Sequence, residues 1–247
     1  AMEKVSKDGV ITIEESKTSN TYVEVNGGSI TKLYGGGKEA LVNQSNITVN
    51  NTDQINRIYG GGYAGNIASD TNIEVNDGLI IYIFGGGYSG DVTGNTNIEV
   101  NAGKITDIYG GGYVGDVLEN ANIAVNGAEI ANIYGGGYQG AIDKETIINV
   151  NDGFIESIYG GGFEGNVINN TNINILGGTI SNNIYGGGYE GNVNKNTYIN
   201  VVDGIINGSI YGGGYAGNII NNVYIEFING QVDKNIFGVE LPECDVA

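Results

Sequence analysis

The sequence predicts an all-β protein with a single domain, a parallel β-helix (β-solenoid). An aromatic residue followed by three glycines occurs eight times, at spacings of 25 or 26 residues, and a fixed period of this size is typical of stacked repeats. Apolar and polar residues alternate over short runs such as residues 96–101 (TNIEVN), which is the pattern of a half-buried strand. The apolar residues are mainly Ile, Val and Tyr, which favours strands over helices.

Residues 96–117 illustrate one coil. The alternating strand is followed by a turn at Gly103, where glycine tolerates a positive φ. A second short strand carries Ile105 and Ile108 into the aromatic–glycine block, and a third short piece, Asp116-Val117, closes the coil. Three short strands in about 25 residues predict that each strand pairs with its counterpart one coil away, at about 4.8 Å. Eight to nine coils would form a rod about 40 Å long, and the crossover rule predicts a right-handed wind.

The repeat also defines the predicted domain organisation. We interpret residues 21–238 as the solenoid, residues 1–20 as an N-terminal cap or partial coil, and residues 239–247 as a C-terminal tail or partial cap. The last three coils carry one extra residue between two inward-facing positions, as between Ile180 and Ile184, which predicts an outward bulge. Because Ala1-Met2 resembles an expression scar, we expect the chain to be part of a larger multidomain protein.

Composition restricts the expected partners. Ten Lys and Arg against 28 Asp and Glu give a net charge of −18, which would repel phosphate backbones and anionic lipids, so we expect no nucleic-acid partner. The sequence contains no apolar run of about 18 residues, which predicts no membrane insertion. Cys244 is the single cysteine and therefore gives no disulfide framework.

Two aromatic rows are the candidate binding residues. If the glycine block is extended, both rows share one outward face, and the glycines form the floor of a shallow trough that suits sugar rings. The alternative is a purely structural ladder, because identical side chains in successive coils stack favourably. The first row is Tyr34, Tyr59, Phe84, Tyr109, Tyr134, Tyr159, Tyr185, Tyr211 and Phe237, and the second is Tyr63, Tyr88, Tyr113, Tyr138, Phe163, Tyr189 and Tyr215.

Other solenoid functions remain as alternatives. A polysaccharide-degrading lyase or hydrolase would need grouped carboxylates, but the chain has no His, and turn chemistry explains Asp152 and Asp203 more simply. We therefore predict no catalytic residues and no cofactor. Calcium is a weak alternative, because residues 86–92 (GGYSGDV) resemble calcium-binding glycine–aspartate repeats, although the Asp91 position becomes Asn or Ala in most other coils. Ice binding is disfavoured, because the aligned threonines, such as Thr96, share parity with inward Ile and Val.

The units TNIEVNDG, IYGGGY and GNV resemble glycine-rich repeats of large surface and secreted proteins of gut-type and clostridial bacteria, over about residues 20–238. The resemblance implies an extracellular segment, secreted or attached to the cell surface, that is adhesin-like or a scaffold. It transfers no binding residues. We therefore expect a non-enzymatic module for adhesion, carbohydrate binding or a stalk, whose partner is a polysaccharide or a host glycan.

Overall fold

A computed structural model describes residues 19–239 of the chain. The caps predicted for residues 1–20 and 239–247 therefore lie almost entirely outside the described residues. The described strands, numbered along the chain, are β1 (Thr21–Val25), β2 (Ser29–Tyr34), β3 (Ser45–Val49), β4 (Gln54–Tyr59), β5 (Thr71–Val75), β6 (Leu79–Phe84), β7 (Thr96–Val100), β8 (Lys104–Tyr109), β9 (Ala121–Val125), β10 (Ala128–Tyr134), β11 (Thr146–Val150), β12 (Gly153–Tyr159), β13 (Thr171–Ile175), β14 (Thr179–Ile180), β15 (Ile184–Tyr185), β16 (Thr197–Val201), β17 (Ile205–Ile206), β18 (Ile210–Tyr211), β19 (Val223–Phe227), β20 (Gln231–Val232) and β21 (Ile236–Phe237).

The strands form two parallel sheets that run along the same axis. The first sheet has nine strands in the order β1-β3-β5-β7-β9-β11-β13-β16-β19. The second follows β2-β4-β6-β8-β10-β12-β14-β17-β20, with β15, β18 and β21 paired beside that path. Residues that pair between neighbouring strands are one repeat apart in the sequence, so Ile98 lies beside Ile123 and Ile108 beside Ile133. The predicted all-β parallel solenoid of about nine coils is confirmed.

The third short strand of each coil is reduced to a single residue. Isolated parallel bridges join Val92 to Val117 and Val117 to Ile142, and the same line continues to Ile219. Most of these residues are fully buried and form a small core cluster of their own. Each complete coil therefore contributes three lines of parallel pairing, as the sequence predicts.

Alternation along the strands places the aliphatic side chains inside. Ile98, Val100, Ile105 and Ile108 are each at most 2% exposed, and their equivalents in other coils continue the same core. A single coil supplies only one row of side chains to the core, so its apolar side chains depend on the coils above and below for burial. Stability is therefore shared between neighbouring coils.

The threonines that begin many strands of the first sheet also point inward. Thr71 and Thr96 are 0% exposed, and the hydroxyl of Thr96 donates to the Gly110 carbonyl at 2.5 Å. The equivalent bond from Thr71 to Gly85 measures 2.6 Å. These hydroxyls satisfy buried carbonyls of the aromatic–glycine block, so these threonines present no surface array to ice.

The extra residue in the later coils divides the strand of the second sheet. Strand β12 is continuous, whereas the next coil has β14 and β15 separated by three residues. Ile180 and Ile184 remain buried and pair with Ile155 and Ile158, while Asn182 between them is exposed. The added residue is thus accommodated on the surface, as the sequence predicts.

Candidate functional site

The first aromatic row forms one continuous column beside the aliphatic core. Consecutive ring centroids are 4.8–5.1 Å apart with interplanar angles of 3–12°, from Tyr34 to Phe237. The central members are buried, with Tyr59 1% and Tyr159 8% exposed. Both faces of each central ring therefore contact neighbouring rings, as the structural-ladder alternative requires.

The second row forms a parallel column nearer the surface. Its consecutive centroids are 4.7–5.2 Å apart with angles of 3–11°. The end members Tyr63 and Tyr215 are 43% and 50% exposed, whereas Tyr113 and Tyr138 in the middle are half-buried. The central rings present their edges and hydroxyls to the side, because their faces are covered by the stack.

The prediction of a trough between the two rows is wrong. Each second-row ring packs edge-on against the first-row ring of the preceding coil, with centroids 5.6–5.9 Å apart and angles of 74–89°. The glycine block bends instead of staying extended, and glycines such as Gly110 and Gly111 are buried. The bend folds the second row over the first, so no sugar ring fits between the columns and no glycine floor faces solvent.

The buried phenols in the middle of the first row are held in their neutral form. Burial raises the pKa of Tyr159 to about 12, with smaller contributions from nearby tyrosines such as Tyr185. Burial also raises the pKa of Tyr59, Tyr109 and Tyr134. Removal from water disfavours the phenolate because that charge loses its hydration. The buried column is therefore an uncharged aromatic layer at physiological pH.

Asparagine ladders cover the outer face of the first sheet. The Asn97 amide nitrogen donates to the Asn72 oxygen at 2.9 Å, and Asn122 donates to Asn97 at the same distance. A shallow groove of about 390 Å³ lies beside this ladder and is also lined by Glu74 and Glu99. The amides bond along the stack, as expected from their repetition.

The aspartates that suggested calcium support the next coil instead. The Asp91 carboxylate accepts the backbone N–H of Asp116 at 3.0 Å, and Asp116 accepts that of Ala141 at 2.8 Å. Asn66 accepts the N–H of Asp91 in the same way at 3.0 Å. Asp and Asn can replace each other at this position because each has a side-chain oxygen that accepts this hydrogen bond. Among residues 19–239, no three or more His, Cys, Asp or Glu side chains are grouped as a metal ion would require.

The turn aspartates are explained by local structure. The Asp152 carboxylate accepts the N–H of Gly153 at 2.7 Å, and Asp203 accepts that of Gly204 at 2.8 Å. Both glycines have positive φ, 125° and 115°. These carboxylates therefore close turns, and the described structure brings neither of them to the aromatic columns.

One row of functional interest was missed by sequence reasoning. It lies two residues before each first-row aromatic, where Lys32, Arg57, Tyr82 and Asp107 are consecutive partners in the second sheet. Burial raises the pKa of Asp107, and a hydrogen bond from Asn132 partly opposes that shift. The signal in the sequence is that this position changes from coil to coil, whereas the aromatic positions on either side of the glycine block recur.

Comparisons with known proteins identify no relatives. No protein-family model matches the chain, and no curated protein or solved structure shows significant similarity to it. The resemblance to glycine-rich surface repeats therefore remains a prediction. Across residues 19–239, no helix has the length and apolar character needed to cross a bilayer.

Proposed function

We propose that the chain is a non-enzymatic stalk or adhesive module of a bacterial surface or secreted protein. The supporting observation is continuity along one axis: two parallel sheets and two aromatic columns pass through successive coils without a change of register. A rod in which every coil is fixed by both neighbours holds attached domains at a constant separation. The net charge of −18 makes copies of the rod repel one another on a crowded surface.

An extracellular location is the first test of this proposal. Antibodies raised against the purified chain should label intact cells of the bacterium that encodes it, or its culture medium. A cytoplasmic protein of the same cells serves as the control for leakage. Labelling that appears only after the cells are permeabilised would contradict the proposal.

Contact with glycans through the second aromatic row is a second candidate function. It is favoured by the lateral exposure of phenol edges on Tyr113 and Tyr138 and by the exposed end ring of Tyr63. Hydroxyl groups there can exchange hydrogen bonds with sugar hydroxyls, while ring edges contact C–H groups. The ligand would then lie along the side of the column, outside the closed gap between the two rows.

A glycan array can test this contact with matched variants. The double variant Tyr113→Phe, Tyr138→Phe removes two lateral hydroxyls and leaves the stack intact, whereas Tyr134→Phe removes a hydroxyl from a mostly buried first-row ring as the control. If the second row binds glycans, the double variant should lose retention and the control should keep it. Equal retention of all three proteins, or none by wild type, would remove the glycan function and leave the stalk.

The alternative of a polysaccharide-degrading enzyme has a direct assay. Acidic and neutral polysaccharides are incubated with the chain, and released reducing ends or unsaturated products are measured. The proposal predicts no release above a heat-denatured control. Release of products above this control would contradict the proposal that the chain is not an enzyme.

A further inference from the structure

Two cations lie side by side at the first coils of an otherwise acidic rod. Lys32 on β2 and Arg57 on β4 are directly opposite one another in the parallel register, and both side chains are half-buried. In the later coils the same position holds uncharged residues or Asp107. Only the first two described coils therefore place a positive charge here.

Neither cation has an anionic partner among residues 19–239. The ion pair in that part of the chain joins Lys104 to Glu129, away from this row. The Arg57 guanidinium lies over the Tyr82 ring, with its carbon 5.7 Å from the ring centroid. That contact covers one face of the guanidinium and leaves its N–H edge available, since a ring offers no lone pair to that edge.

The arrangement is electrostatically unfavourable without a ligand. Adjacent strands are about 4.8 Å apart, and like charges directly opposite each other destabilise a sheet. Partial burial removes some of the water that would screen the two charges. An oxyanion between them would convert this repulsion into two attractive contacts, and a guanidinium binds carboxylate, sulfate and phosphate groups through paired N–H donors.

The surrounding charge limits the size of that ligand. The row continues past Tyr82 to Asp107, two coils beyond Arg57, and the whole chain carries a net charge of −18. A long polyanion lying along the rod would be repelled by these carboxylates. A ligand with one compact anionic group avoids that repulsion.

We propose that Lys32 and Arg57 form a binding site for a single oxyanion group, either a free inorganic anion or the anionic group of a small acidic sugar. Tyr82 orients the guanidinium from behind, and Lys32 supplies the second charge. The site does not depend on the stalk or glycan proposals, because it rests on a different row of side chains.

Calorimetric titration of the full chain at low ionic strength tests the site. The probes are sodium sulfate, sodium phosphate and D-glucuronate, with D-glucose as the neutral counterpart. We expect the anions to bind and glucose not to bind, and we expect R57Q and K32Q each to weaken binding about tenfold, the value of a charged hydrogen bond. K144Q removes the same charge elsewhere and should leave the affinity unchanged. Tighter binding of glucuronate than of sulfate would identify a sugar-borne anion, and equal or weaker binding a free one.

A thermal measurement separates this role from a structural one. Without added anion, K32Q should melt at the wild-type temperature or above it, because one of two repelling charges is gone. A lower melting temperature would indicate that Lys32 is held in an internal ion pair and would overturn the proposal. It would also be overturned if no probe bound or if K144Q weakened binding equally.

Discussion

Glycine has two separate uses in this chain. Turn glycines such as Gly153 and Gly204 adopt positive φ, which other residues resist. The block glycines are needed for close approach: a Cβ on Gly110 would lie 2.1 Å from the Gly135 carbonyl oxygen of the next coil. The three-glycine block is therefore required because the backbones of successive coils pack against each other there.

Gly110→Ala should destabilise the chain by about 1–3 kcal/mol or more, because the added methyl group meets backbone that cannot move alone. Gly127→Ala is the matched control, since a Cβ there meets only the Asn101 carbonyl oxygen, at 3.1 Å. Urea unfolding of both variants measures the difference. Equal losses would show that close approach of the backbones is not what the block requires.

Ser45 occupies the inward position that threonine holds in most coils. Its hydroxyl is buried without a hydrogen-bond partner, whereas Thr96 bonds to Gly110. Ser45→Thr should stabilise the chain by about 0.5–1.5 kcal/mol by placing a hydroxyl toward the Gly60 carbonyl, and Thr96→Val should cost about 1–3 kcal/mol. Chemical unfolding checks both signs. A destabilised Ser45→Thr would show that the second coil cannot accept the threonine geometry.

Burial removes water from the Asp107 carboxylate and raises its pKa. The charged form of Asp107 therefore destabilises the folded state. The penalty is present at neutral pH and disappears as the pH falls below the unfolded value of about 3.9. Asp107→Asn retains the oxygen that accepts the Asn132 bond, so it should raise the melting temperature at pH 7 and have progressively less effect in acid. A pH-independent difference would point to packing as the cause.

At the scale of elements, the aromatic columns make the stability of the folded chain depend on pH in the alkaline range. Burial raises the folded pKa of Tyr59, Tyr109, Tyr134 and Tyr159, to about 12 for Tyr159, against about 10 in the unfolded chain. Their contribution is complete below about pH 10 and is lost as the pH rises toward 12, because ionisation then favours the unfolded state.

Phenolate absorbance and circular dichroism, recorded together, should show the buried tyrosines ionising only as the sheet signal is lost. Tyr159→Phe removes one such group and should make the alkaline transition less steep. Ionisation of all tyrosines while the sheet signal persists would contradict the burial of the column.

The strands could be predicted from sequence, but the faces of the aromatic rows could not. Alternation places Ile98 and Ile108 inside unambiguously, because the period of two is a local property. The relation of Tyr109 to Tyr113 depends on the path of three residues that have no side chains, and sequence offers no pattern for that path. The bend at Gly110 closed the expected trough.

The basic pair was hidden for a related reason. Lys32 and Arg57 are 25 residues apart in sequence, so each looks like an isolated surface cation until the register places them together. In a repeat protein, such pairs can be found by comparing the residues at the same position of successive coils. The candidate site could therefore have been found by aligning the coils and examining where they differ.

At the scale of the whole molecule, pairing between neighbours makes entire coils removable. Deletion of residues 96–120 joins two coils in register and should leave a folded, shorter rod with reduced stability. Deletion of residues 96–107 removes half a coil and places strands of different sheets beside each other, so it should prevent folding. Circular dichroism and small-angle scattering distinguish the results. Equal loss of structure in both variants would contradict nearest-neighbour stabilisation.

The asparagine ladders give the rod an electrical direction. In each bond the amide nitrogen of the later coil donates to the oxygen of the earlier coil, as from Asn97 to Asn72 and from Asn101 to Asn76. The side-chain dipoles are therefore aligned head to tail, with their positive ends toward β1. Aligned amide dipoles add, as they do in a helix, so the two ends of this rod differ in potential as well as in sequence. For molecules placed end to end, this dipole contribution would favour one orientation and disfavour the reverse, in addition to the repulsion from the net charge of −18.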